Sequence, residues 1–208
     1  MKPDLWAFEK KSARKGYARI AGLDEAGRGP LAGPVVAAAI VLPADFPISD
    51  ITDSKKLTPA KRELLFDHIY IHADAVGIGL IDASEIDRIN ILRASLSAMT
   101  LAVENLYPSP DFLLVDGKFS IPSDIPQRPL VKGDALSISI AAASIVAKVT
   151  RDRFMKRYHE DYPQFGFDQH KGYPTRAHRE AIREFGPCPI HRQSFKGVSE
   201  KMVQKPLF

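Results

Sequence analysis

A single cysteine, Cys188, occurs in 208 residues, which excludes an internal disulfide framework and a cysteine-rich zinc site and leaves a packed thiol as the plain reading. No apolar run approaches the roughly 20 residues that span a bilayer. The opening Met1-Lys2-Pro3-Asp4-Leu5-Trp6 lacks the apolar stretch of a secretory signal. A cytoplasmic protein with no membrane partner is the expectation. Internal repeats and low-complexity segments are missing. So are a His-Glu-x-x-His zinc pattern, a Gly-x-Ser-x-Gly elbow and the Lys-Ser or Lys-Thr that ends a P-loop. The stretch from Gly27 reads Gly-x-Gly-x-x-x-Gly, contains Pro30 and runs into a strand-like segment, so it does not fit a dinucleotide fingerprint.

What is present is an ordinary globular composition, 45% hydrophobic and 26% charged, in a chain long enough to bury a sizeable core. The net charge of +4 is modest. Its distribution says more: residues 1 to 147 carry 16 basic and 18 acidic side chains, whereas residues 148 to 208 carry 13 and 7 and hold four of the six histidines. A basic C-terminal part on a neutral body suits a polyanionic partner, because neutralising phosphates releases counterions. Simple solubilisation by surface lysine and arginine explains the charge equally well.

Pattern and punctuation predict the elements. A strand over 17–23 delivers Asp24 to its end, and an apolar run over 35–42 forms a second strand paired with it as a hairpin. Thr58 and Pro59 open a helix reaching about His72. A third strand alternates through Val76, Ile78 and Leu80, and one helix from Ser84 or Arg88 reaches Leu106. Phe112 to Val115 and Leu130-Val131 are short strands, and helices are expected over 135–158 and 175–185. This order predicts an α/β fold, a mixed five-stranded sheet flanked by helices, with a helical basic C-terminal region.

Three element ends present acid: Asp24 with Glu25, Asp116, and Asp134. If the first and fourth strands are parallel neighbours, their ends gather the first three carboxylates where ligands commonly bind α/β sheets. Grouped carboxylates repel one another unless cations lie between them. Hard oxygen donors select Mg²⁺ or Mn²⁺, with coordination completed by water and phosphate oxygens, so the cluster points to phosphoryl chemistry. Singly, each acid reads as a cap or a solvated charge, and Asp134 in particular suits a helix start.

The blocks Gly22-Leu23-Asp24-Glu25-Ala26-Gly27-Arg28-Gly29-Pro30, Asp53-Ser54-Lys55-Lys56-Leu57, Val115-Asp116-Gly117, Lys132-Gly133-Asp134, Ser139 through Asp152 and His170-Lys171-Gly172-Tyr173-Pro174 stand in this order. Together they resemble the signatures of type 2 ribonucleases H, in particular the bacterial ribonuclease HII family. The resemblance implies a ribonuclease H-like catalytic domain over 17–160, an N-terminal extension over 1–16 and a substrate-binding region over 161–208. It implies a monomeric endonuclease that cuts RNA in RNA/DNA hybrids and at single ribonucleotides in DNA duplexes, leaving 5′-phosphate and 3′-hydroxyl ends. Asp24, Glu25, Asp116 and Asp134 match the catalytic and metal-binding acids, which hold two Mg²⁺ or Mn²⁺ ions. Asp152 matches none of these and reads as half of a structural ion pair. Gly27, Arg28 and Gly29 match the turn that reads the 2′-hydroxyl, and Tyr173 the tyrosine that packs on the following nucleotide. Lys55, Lys56, Lys148 and Lys171 are candidate phosphate contacts. At the end of the chain, Gln204-Lys205-Pro206-Leu207-Phe208 resembles a sliding-clamp-binding peptide at Gln204, Leu207 and Phe208, not at Lys205.

Overall fold

In the computed structural model, residues 4–47, 51 and 57–199 are described. The strands are β1 (Ile20–Ala26), β2 (Val35–Val41), β3 (Ala75–Ile81), β4 (Phe112–Asp116) and β5 (Gln127–Leu130). They form one sheet in the order β3-β2-β1-β4-β5, antiparallel across β3-β2-β1 and parallel across β1-β4-β5. The mixed five-stranded sheet, the β1-β2 hairpin and the parallel β1-β4 pair match expectation. Leu23 lies opposite Val115, so the next residue of each strand is an acid, and Asp24 and Asp116 leave the same sheet end.

The helices are α1 (Ala7–Ala13), α2 (Pro59–His72), α3 (Ala83–Ile89), α4 (Ile91–Glu104), α5 (Ile138–Asp161), α6 (Phe167–His170) and α7 (Arg176–Phe185). β2 is buried along its whole length: Ala37 and Ala39 face the core with α4, and Ala38 and Ile40 face the core with α5. This explains its unbroken apolar run, since a central strand covered on both faces has no reason to alternate. Both covering helices lie close. A Cβ added at Gly22 on β1 would stand 2.2 Å from the Ser139 main-chain carbon of α5, and one at Gly79 would stand 2.0 Å from the Ala98 carbonyl of α4. Glycine and alanine here let helix backbone approach strand backbone.

The first strand, expected over 17–23, is Ile20–Ala26, so Asp24 and Glu25 lie within it and stay paired with β2, and the strand expected at Leu130-Val131 is Gln127–Leu130. Three further differences have local reasons. The single helix expected up to Leu106 is two, because Asn90 adopts a left-handed φ of 69° and its Oδ1 accepts the Leu92 and Arg93 amides as the cap of α4. The helix expected from Ala135 starts at Ile138, where the Ser137 hydroxyl accepts the Ile140 amide, and residues 133–135 form a separate 3₁₀ turn. Third, α1 was not expected in the polar start. Its buried Glu9 carboxylate accepts from the Ser137 hydroxyl (2.5 Å), the Ser139 amide (3.1 Å) and the Ser139 hydroxyl (2.8 Å). That fastens α1 to the N-terminus of α5, where a carboxylate meets both unpaired amides and the favourable end of the helix dipole. A third core joins the C-terminal helices to the body through Met155, Phe165, Phe167 and Ile182. Among the described residues no helix is long and apolar enough to cross a membrane.

Candidate active site

Asp24 and Asp134 are buried, and the Glu25 side chain is only 10% exposed. Consecutive strand residues point to opposite faces, yet both β1 carboxylates feel the same neighbour at the sheet end. Burial first, then the charges of Glu25 and Asp116, hold the Asp24 carboxyl well above its ordinary range; the Glu25 amide (2.7 Å) and the Ser144 hydroxyl of α5 partly offset this. Burial also raises Glu25, opposed by Arg28 at 3.2 Å and reinforced by Asp116. Asp116 Oδ1 accepts the Gly133 amide at 2.7 Å, which ties the end of β4 to the turn that carries Asp134. Thus Asp24, Glu25 and Asp116 meet at one sheet end as like charges, and the Gly133 amide on Asp116 brings the 3₁₀ turn that carries Asp134 beside them.

Among the described residues no three His, Cys, Asp or Glu side chains close on one point as a finished metal cage. The donor set nevertheless suits a hard divalent ion. Crowded buried carboxylates are relieved by a cation, and Mg²⁺ commonly takes one or two carboxylates, several waters and substrate phosphate oxygens.

Directly after the acids the chain turns, and its turn is built on two arginines. Arg151 of α5 and Arg192 are completely buried. Arg151 donates to the carbonyls of Pro34 (2.9 Å), Ala32 (3.0 Å) and Lys171 (3.0 Å). Arg192 donates to Gly27 (2.6 Å), Arg28 (3.2 Å), Pro30 (2.8 Å) and Gly33 (3.0 and 2.9 Å). Burial lowers Arg151 to about 10 and, with the Arg151 charge, lowers Arg192 to about 9; both remain cations at neutral pH. The carbonyls of Gly27, Arg28, Pro30, Ala32, Gly33 and Pro34 therefore turn inward. Arg28 and Gly29 are exposed, and among the described residues their amides donate to no acceptor. The turn thus leaves N–H groups unpaired on an exposed stretch. Gly27 must be glycine here: its φ is +107°, and a Cβ would stand 2.2 Å from Arg151 Nε.

Tyr173 faces this turn. It is 41% exposed, and a Cβ added at Gly29 would lie 3.8 Å from its Cε1. Lys148 stands 5.8 Å over the ring and pairs with Asp152 at 2.6 Å, the ion pair expected of Asp152. Lys171 lines the same groove as Lys148 and Tyr173, and its ammonium donates to the Asp168 carbonyl. Lys55, Lys56, Gln204, Leu207 and Phe208 lie outside the described residues.

A buried relay fixes Tyr173 from behind. The Cys188 amide donates to His191 Nδ1 (2.9 Å), His191 Nε2 meets His178 Nε2 (3.1 Å), and His178 Nδ1 meets the Tyr173 carbonyl (2.9 Å). These partners are mutually consistent only if neutral His191 donates from Nε2 and neutral His178 from Nδ1. Burial holds both imidazoles at about 4. His170, stacked 4.4 Å from His178, is also lowered by burial, and the Cys188 thiol is pushed up to about 11. Between pH 6.5 and 4 the unfolded chain binds protons at these two positions that the folded chain refuses. Their contribution to stability is therefore intact above about pH 6.5 and is lost as the pH falls toward 4. Imidazole proton NMR should find two histidines that stay neutral to about pH 4; both titrating near 6.5 would rule the relay out.

Arg151, Arg192, His178 and His191 were not singled out from sequence. In composition the arginines merely add to the basic tail, although neither contributes exposed surface.

A family profile described as ribonuclease HII matches residues 21–198, a span that contains every site residue discussed so far except Gln204, Leu207 and Phe208. A ribonuclease HII from Geotalea daltonii is 58% identical over 199 residues, 96% of this chain and 92% of its own. The ribonuclease H2 crystal structure from Pyrococcus horikoshii OT3 is 28% identical, with a TM-score of 0.74 over 90% of this chain and 100% of that one. The chain in a PCNA:RNase HII complex from Archaeoglobus fulgidus is 26% identical, with a TM-score of 0.69 over 86% and 96%.

Proposed function

This chain belongs to the ribonuclease HII family and is thus a ribonuclease H hydrolase; on that premise we propose that it incises both RNA in RNA/DNA hybrids and single ribonucleotides in duplex DNA, leaving 5′-phosphate and 3′-hydroxyl ends. The observation that carries this reading is a turn with its carbonyls held inward and its exposed Arg28 and Gly29 amides unpaired among the described residues, three and four residues past Glu25. A 2′-hydroxyl oxygen can accept from such an amide, and a deoxyribose offers nothing in its place. Asp24, Glu25, Asp116 and Asp134 would hold two Mg²⁺ or Mn²⁺ ions in the substrate complex. Bound there, divalent ions supply a water activated near neutral pH and charge stabilisation for the leaving 3′ oxygen.

The remaining steps belong to the protein's own groups. Arg28 positions Glu25 by their ion pair, and the Gly133 amide positions Asp116. Tyr173, held by its carbonyl to His178, packs its exposed ring on the nucleotide following the ribonucleotide. Lys148 and Lys171 approach backbone phosphates from the groove beside it. A duplex with one embedded ribonucleotide should be cut at a single phosphate with Mg²⁺ or Mn²⁺, and an all-DNA duplex of the same sequence should stay intact. Equal cutting of both would sink the reading, and so would no cutting with either metal.

A sliding-clamp contact through Gln204, Leu207 and Phe208 is a second proposal. It is supported by the resemblance of that peptide and by the archaeal relative solved with PCNA. Removal of residues 204–208 should end capture by an immobilised clamp; undiminished capture would refute the contact.

A further inference from the structure

A second basic groove, about 410 Å³ in volume, lies across the recognition turn from the Lys148 groove. Gly29 forms part of its wall, Leu31, Pro174 and Phe195 supply apolar lining, and its charges are Arg179, Arg183 and Lys196. Among the described residues no carboxylate lines it. We propose that this groove binds phosphodiester backbone of the nucleic-acid substrate, as a site separate from the one around Lys148 and Lys171.

Three observations carry the assignment. Arg179 and Arg183 stand at i and i+4 of α7 and are both exposed. Like charges so placed weaken a helix by a few tenths of a kcal/mol, a cost that an anion between them reverses. Second, several surface cations are tied to acids: Arg88 pairs with Glu85, Arg153 with Glu63, and Arg176 on α7 itself with Glu180. Among the described residues no such pair includes Arg179, Arg183 or Lys196, so their charge is available to an external anion. Third, the wall is shared with the functional turn. Gly29 lines this groove and nearly touches Tyr173, which lines the other. Behind the lining, the buried Arg192 guanidinium lies 5.0 Å from the Phe195 ring and adds positive potential that the Asp87 charge opposes in part. Apolar lining between cations suits a sugar-phosphate chain, whose phosphates need charge and whose sugars need contact.

The proposal rests on the nuclease reading, and its test keeps the two apart. Binding of full-length protein to an RNA/DNA hybrid is measured in EDTA, where no cleavage occurs, from 50 to 200 mM salt. Each phosphate contact contributes about 0.9 to the slope of log affinity against log salt. The triple variant Arg179→Ala/Arg183→Ala/Lys196→Ala should bind more weakly, with a slope shallower by roughly two to three. Arg176→Ala, on the same helix and engaged with Glu180, should keep the wild-type slope. All three groove side chains are exposed, so the thermal midpoint of the triple variant should match wild type. A wild-type slope in the triple variant would overturn the groove assignment, and so would an equal loss in Arg176→Ala. Failure of the wild-type protein to bind the hybrid would instead overturn the nuclease reading.

Discussion

Asp24→Asn is expected to lower cleavage of a ribonucleotide-containing duplex by on the order of a hundredfold to a thousandfold, while hybrid affinity without divalent ions stays the same or rises. Asparagine keeps the shape of the side chain and can still accept the Glu25 amide that Asp24 accepts at 2.7 Å. It removes the charge that an ion requires. The same change takes a buried negative group away from Glu25 and Asp116, whose charges oppose it. The metal-free variant should therefore melt at a higher temperature than wild type, as expected where a site sacrifices stability for chemistry. Added Mg²⁺ or Mn²⁺ should raise the wild-type midpoint and leave the variant's unmoved, because a ligand stabilises only the state that binds it. Asp134→Asn should lose cleavage in the same way, since Asp134 is buried at the same sheet end beside the turn that holds Asp116. Near-wild-type turnover by either variant would remove that acid from the site.

Arg192 offers the largest expected effect on stability. Arg192→Met leaves the carbonyls of Gly27, Arg28, Pro30 and Gly33 without their donor, and a buried polar group left unpaired costs about 1–3 kcal/mol. Relaxation of the turn recovers part of this, so a net loss of about 3–5 kcal/mol is expected, the range for breaking a buried charged network. Arg192→Lys separates charge from geometry. Lysine keeps the cation but has three donors on one nitrogen and cannot span four carbonyls as the planar guanidinium does. It should recover part of the stability. It should not recover the preference for a ribonucleotide over a deoxyribonucleotide at the cut site, because the exposed amides depend on the inward carbonyls. Denaturant midpoints and the ratio of cleavage on the two duplexes measure these effects separately. Wild-type values of both for the lysine variant would mean that the turn keeps its shape without the fork.

Strand positions and the acids were legible because their signals are local. The unbroken apolar run of β2, the acids near the end of β1 and the acid that ends β4 need only a few neighbouring residues to be read. The break at Asn90 was not legible, since the apolar spacing continues across it and only a left-handed backbone betrays it. The arginine cradle was hidden for a different reason. Arg151 and Arg192 meet residues 27–34 from more than a hundred positions away, and nothing in their own surroundings distinguishes an internal guanidinium from a surface one. The basic excess of the last 61 residues pointed only to a polyanionic partner in general; two of its cations are structural, and six others divide between two grooves.

Helix α5 sets a spacing. Ser137 at its start fastens Glu9, Ser144 reaches Asp24, and Arg151 holds the turn. Each is seven residues from the last, which is two turns and ~10.5 Å along one face of a helix. One added or deleted residue between Ser144 and Arg151 would swing the guanidinium by ~100° away from its carbonyls. This stretch should therefore accept many changes of side chain but no change of length, and the distance from the turn to the carboxylates is set by a count of helical residues.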